Sequence, residues 1–171
     1  MPSARIPVIE GFVLALWLGA AAFFTLEVAR AAFAVLPSRT LAGALVGRTL
    51  PVLFVTGIVV GLAIVILEWP TVREHWGRFA AACTMVAACA VAQLWVAPRI
   101  DRLREAIGGP LEALAPGDPQ RAAFGRLHAI SVGWLGVAIV AACVAMFLTW
   151  RALEAPRGSS RSSTLTEQTD G

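Results

Sequence analysis

A chain of 171 residues that is 58% apolar and only 15% charged, with mean hydropathy +0.74, lies outside the range of water-soluble domains, which run near half apolar and a quarter charged. The fourteen basic residues are all arginine and the net charge is +3; the charge is spread between apolar runs, which excludes a nucleic-acid surface and makes anionic lipid headgroups the natural counter-charge. Cys83, Cys89 and Cys143 all fall inside apolar runs with no CxxC or Cys/His metal spacing, as small packing residues do.

Crossing about 30 Å of hydrocarbon takes roughly 20 residues of helix. The first qualifying segment runs over about 7–34 and carries Glu27 and Arg30 near its far end. Arg5, the run from Gly11 and the small residues Gly19 to Ala22 imitate a cleaved secretory signal. The helical pattern nevertheless continues through Phe23 to Leu36 and Glu10 interrupts the approach, so an uncleaved span is expected. A second span, about 50–67, is uncharged and ends at Glu68-Trp69-Pro70. A third, about 79–97, has Gln93 as its one strongly polar residue and stops at Pro98. In the following connection Ile100, Leu103 and Ile107 share one helical face, which reads as a short interfacial helix or an extension of the third span, ended by Gly108-Gly109-Pro110. Asp118-Pro119 is an N-cap and first-turn pair, placing the start of the last helix well before its apolar stretch at about 129–150. The expected fold is all-α: an integral membrane four-helix bundle with a short interfacial helix between the third and fourth spans. One domain covers 1–153, and the Ser-, Thr- and Arg-rich 154–171 tail is expected to be disordered.

Four spans put both termini on one side, here side A, together with the 68–78 connection; the 37–49 and 98–125 connections share side B. Trp69, Trp76 and Trp150 then fall at the side A interface and Trp95 at side B, as an aromatic belt requires. Arginines divide six to side A (5, 73, 78, 151, 157 and 161) and eight to side B (30, 39, 48, 99, 102, 104, 121 and 126), which tilts the positive-inside rule towards a cytoplasmic side B.

Ionisable groups at membrane depth are costly and therefore draw a functional hypothesis. Glu27 and Arg30, three residues apart, can pair on one helix face. Gln93 and His128 lie at a similar depth near side B. With Arg126 and Ser131 they form a candidate intramembrane polar cluster: either a ligand or ion site, or side chains that snorkel to headgroups and satisfy one another. His75 and His128 fall on opposite sides, roughly 30 Å apart, and cannot share a haem. No cofactor is expected, with a single-histidine haem or metal site at His128 as the alternative. Gly57 and Gly61 form a small-xxx-small helix-packing pair. The sequence has no nucleophile–base pair, phosphate loop or HExxH-type motif, so an enzymatic activity is not the favoured reading.

Trp17-Leu18-Gly19, Phe23-Phe24, Leu36-Pro37 and Gly43, then Pro98-Arg99 with Ile100 and Leu103-Arg104, then Phe124-Gly125-Arg126-Leu127-His128 with Ser131, resemble the transmembrane-protein-205-like family in order and spacing across about residues 8–150. The resemblance implies a four-helix membrane domain of unassigned molecular activity, whose animal members are associated with resistance to platinum drugs and whose layout is similar to copper-resistance-type membrane proteins. Two departures stand out: the family's polar amide near Ala92 is matched only by Gln93, and its Asn after the His–Ser pair is replaced by an apolar residue near Leu135. The favoured expectation is membrane-embedded handling or transport of a small solute or metal species in a bacterial inner membrane. The alternatives are a scaffold that binds a membrane-protein partner or a second copy, and a haem-linked oxidoreductase.

Overall fold

The computed structural model describes residues 5–154. The 154–171 tail therefore lies outside the described residues except for Glu154, which closes the last helix. No strand occurs among the described residues. Four helices are long and apolar enough to cross a membrane: α1 (Ile6–Val35), α2 (Arg39–Thr71), α3 (Trp76–Ile107) and α4 (Pro119–Glu154).

Short connections make neighbouring helices antiparallel, and each helix packs on two others: α1 on α2 and α4, α3 on α2 and α4. The buried positions explain the packing. Along α1 they fall at Glu10, Leu14, Trp17, Ala21 and Phe24; along α4 at Ser131, Leu135, Ala138, Ala142, Ala145 and Thr149. Alternating steps of three and four are the seam of a left-handed bundle. The opposite faces remain apolar, with Phe12, Leu16, Val59, Ile66, Val140 and Phe147 all exposed. A helix that is apolar all round suits a lipid surround and not water.

Small residues bring the helices close where hydrophobic driving force is missing. A Cβ on Gly61 would lie 2.5 Å from Val86 Cγ2 and 3.4 Å from the Ala82 carbonyl oxygen, and one on Gly57 would lie 2.7 Å from Cys89 Sγ and 3.0 Å from the Trp17 ring. The room at Gly57 lets the buried Trp17 indole donate to the Leu53 carbonyl at 3.1 Å, tying α1 to α2.

The helix ends differ from the sequence reading in instructive ways. Ser38, in extended conformation, accepts from the Leu41 amide at 3.1 Å, so α2 starts at Arg39, well before the apolar run from Leu50; a capped helix needs no lipid to continue. The stretch Ala97–Ile107 extends the third span without a break, and the only separate element before α4 is the single turn Leu111–Ala113. Gly108 ends α3 at φ +63° with its amide donating to the Arg104 carbonyl, a left-handed position that favours glycine. Asp118 Oδ1 accepts from the Gln120 amide at 2.7 Å and opens α4.

Two helices widen into π turns, at Phe24–Val28 and Val91–Val96. In α1 the Thr25 hydroxyl donates to the carbonyls of Ala21 and Ala22, an insertion of the kind that loosens the helical ladder. In α3 the π turn precedes Pro98, which has no N–H and whose ring crowds the preceding turn. The Arg99 guanidinium donates to the Trp95 carbonyl there at 2.6 Å and covers the Trp95 ring at 3.8 Å.

Candidate functional site

A cavity of about 510 Å³ opens at the side B end of the bundle. Its α2 wall is made of Gly43, Gly47, Leu50 and Phe54; α3 contributes Gln93, Ala97 and Arg104; α4 contributes Arg121, Phe124, His128 and Ser131. The missing side chains on α2 create the space. Arg104 lies along them, with Nη2 donating to the Gly43 carbonyl at 3.1 Å and Nη1 2.8 Å from where a Gly47 Cβ would stand. Its guanidinium is 5.5 Å from the centre of the Phe124 ring, and that ring stacks parallel to His128 at 6.4 Å.

The lining is amphipathic. Arg39, Arg104 and Arg121 face Asp101 and Glu112. Asp101 is 3.9 Å from Arg104. The Glu112 carboxylate accepts from the Thr40 hydroxyl at 2.5 Å and from the Thr40 amide at 2.9 Å. These bonds, the hydroxyl's first, hold the Glu112 carboxyl below its ordinary value and fasten the α3–α4 connection to the start of α2. Arg121 donates to the Leu114 carbonyl at 3.2 Å. The Gln93 Oε1 is buried without a hydrogen-bond partner, so one polar group of the inner wall is left for something else to satisfy.

Of the residues singled out from the sequence, Gln93, His128 and Ser131 line this one cavity. Glu27, Arg30 and Arg126 are exposed and none of them lines it. Glu27 and Arg30 make no ion pair with each other among the described residues. They share depth with His128 but point off the buried seam of α1, towards the lipid or headgroup side. Among the described residues no three His, Cys, Asp or Glu side chains gather as a metal-binding set, so a metal at His128 would draw its other ligands from elsewhere.

A second polar cluster, unremarked in the sequence, sits at side A. Glu10 of α1, Glu68 of α2 and Arg78 of α3 are exposed by only 1%, 2% and 6%. Arg78 Nη2 is 2.8 Å from Glu68 Oε1, and Nη1 is 3.8 Å from Glu10 Oε2. The sequence carries a signal for them in the seam spacing. Glu10 is four residues before Leu14, Glu68 four after Ile64, and Arg78 three before Ala81, so all three stand on the buried seams of their helices. No curated protein and no solved structure matches the chain. Residues 12–108, more than half of the chain and most of the first three helices, match a family described as a domain of unknown function, DUF4149, and the chain belongs to that family.

Proposed function

We propose that this multi-pass membrane protein binds a small amphiphilic anion in the side B cavity and handles or transports it. One observation carries the reading: a cavity with apolar depth at Leu50, Phe54 and Ala97 is rimmed by three arginines, Arg39, Arg104 and Arg121, against two acids. Of these acids Glu112 is bonded to Thr40 and only Asp101 approaches an arginine, Arg104 at 3.9 Å. Concave, mostly apolar sites with a few convergent polar groups are the usual form of small-molecule sites, and arginine is suited to planar anions such as carboxylate and phosphate. The resemblance to the transmembrane-protein-205-like family, with its link to drug resistance in animals, supports the same small-solute reading. The arginine-only basic set and high alanine content fit a GC-rich bacterial genome and so an inner-membrane location, and the excess of eight arginines over six favours a cytoplasmic side B.

The test is equilibrium binding of radiolabelled octyl phosphate to the full chain in zwitterionic nanodiscs. Saturable binding that falls about tenfold in Arg121→Gln or Arg104→Gln, a change worth about 1.4 kcal/mol, is expected. Competition by anionic lipid but not by inorganic phosphate would identify the solute as a lipid, and the reverse as a free phosphate. Absence of saturable binding, or binding indifferent to both arginines, would overturn the reading. A shallow apolar groove between α3 and α4, lined by Ala80, Thr84, Val137 and Val140, supports the second reading, a scaffold for a membrane partner. In-membrane crosslinking from residue 140 tests it, with no crosslinked species as the adverse result.

A further inference from the structure

We propose that the Glu10–Arg78–Glu68 triad is a binding site for one small monovalent cation, a proton or a sodium ion, at the end of the bundle opposite the solute cavity. The argument begins with charge. Two carboxylates face one guanidinium, and all three are almost completely removed from solvent. Arginine stays charged under all ordinary conditions, so the triad alone carries a surplus of one negative charge in a low-dielectric surround, where an uncompensated charge is expensive.

Among the described side chains no other helix supplies the missing charge. From α4 the nearest buried polar residue is Thr149, whose methyl group lies against Gly11 and whose hydroxyl is committed to the Ala145 carbonyl. Arg151 and Glu154 of α4 are exposed. At the end of α2 the Thr71 hydroxyl donates to the Glu68 carbonyl; in the turn that follows Arg73 and Glu74 are exposed, and His75 is half-buried at the head of α3.

The unsatisfied atoms give a second, independent indication. Both oxygens of Glu10 and Oε2 of Glu68 have no donor, while Nε and Nη1 of Arg78 have no acceptor. Buried polar atoms are paired in the great majority of cases, so a cluster of five needs a cause. A proton taken up by either carboxylate turns an acceptor into a hydroxyl donor for the other acid and removes the surplus charge; nothing else is consumed or released. A sodium ion achieves the same neutrality by accepting oxygens from both acids, as hard cations do. Either occupant ties α1, α2 and α3 together only while it is bound, so bundle closure at side A depends on cation concentration.

The experiment compares thermal unfolding of the full chain in detergent between about pH 5 and 9, in sodium chloride and in choline chloride of equal ionic strength. If the occupant is a proton, the wild-type midpoint falls as pH rises in both salts. If it is sodium, the midpoint at high pH is higher in sodium than in choline. In either case the shift is about 2–4 °C or more for a chain of this size, and Glu10→Gln or Glu68→Gln, each of which removes the surplus charge in place, abolishes it. A wild-type midpoint indifferent to both variables, or a dependence that survives in both glutamine variants, overturns the proposal. Infrared difference spectra of the wild type need no variant that folds. A protonated-carboxyl stretch, or carboxylate bands that shift on exchange of sodium for choline, is expected, and the absence of both overturns the proposal as well. The site shares no residue with the side B cavity, so the octyl phosphate experiment can fail without touching this one.

Discussion

The two ends of the bundle are made from the same three-and-four seam and come out differently. At side A the seam ends in Glu10, Glu68 and Arg78, long side chains that meet across three helices and close the core. At side B the corresponding stretch of α2 carries Gly43 and Gly47, which leave no side chain to meet a partner, and a cavity of about 510 Å³ remains. Charge is concentrated and buried at one end, distributed and partly solvated at the other. In this four-helix bundle, what the seam carries near each rim decides between a sealed end and a receptive one, since the middle is closely packed by side chains from alanine to Trp17, Phe54 and Met85.

That contrast can be broken experimentally. Replacing Arg78 by Met removes the only cation from a buried acidic pair and should cost about 3–5 kcal/mol, the usual penalty for stripping one partner from a buried ion pair, read from reversible unfolding in mixed micelles; a cost under about 1 kcal/mol would show the end not to be sealed electrostatically. Gly61→Val forces a branched side chain against Val86 and the Ala82 carbonyl and should cost about 1–3 kcal/mol as overpacking does. Gly47→Ala meets only the mobile tip of Arg104, so stability should move by less than about 0.5 kcal/mol, while octyl phosphate affinity changes because Arg104 is displaced at the rim. An equal loss of stability at 47 and 61 would erase the distinction between the ends. Glu27→Gln and Arg30→Gln, both on the outer surface, should leave stability within about 0.5 kcal/mol and affinity unchanged; an altered affinity would bring them into the site. The smallest effect concerns Glu112. Its carboxyl is held below its ordinary value by Thr40, so the clasp is fully formed above the unfolded carboxylate value near 4.3 and is lost as pH falls through the lower folded value. The Thr40 amide resonance should therefore move only below about pH 4, and movement near pH 6 would contradict the hydrogen-bonded arrangement.

Four apolar segments, their order and the cap at Asp118 are legible from residues alone, because hydropathy and capping are local properties; the cap at Ser38, which starts α2 eleven residues before its apolar run from Leu50, emerges only in the structure. Depth in the membrane is legible as well: counting along each helix places Glu27, Gln93 and His128 near one level. Direction around the helix is not, since it depends on which face the neighbours cover. Gln93, His128 and Ser131 turn inwards while Glu27, Arg30 and Arg126 turn out. The side A triad lies at the first charge of each span, where hydropathy alone ends the membrane segment. Carrying the seam spacing one step further, from Leu14 back to Glu10 and from Ile64 on to Glu68, puts both acids inside. The cavity itself had no local signal beyond Gly43 and Gly47, because a void is a property of four helices at once.

The π turn at Val91–Val96 has a mechanical consequence for α3. An α-helix advances about 100° per residue, and a π turn takes up one residue more than an α turn without lengthening the path around the axis. It works as a phase shifter between two shafts: the inner part of α3 is indexed to the alanine seam, and the outer part is turned so that Arg104 engages Gly43 and Gly47. Loss of a single residue there would close the turn to ordinary pitch with Ala97–Ile107 still in phase, whereas tightening to α pitch with every residue kept would rotate that block by about 100° and swing Arg104 off its seat.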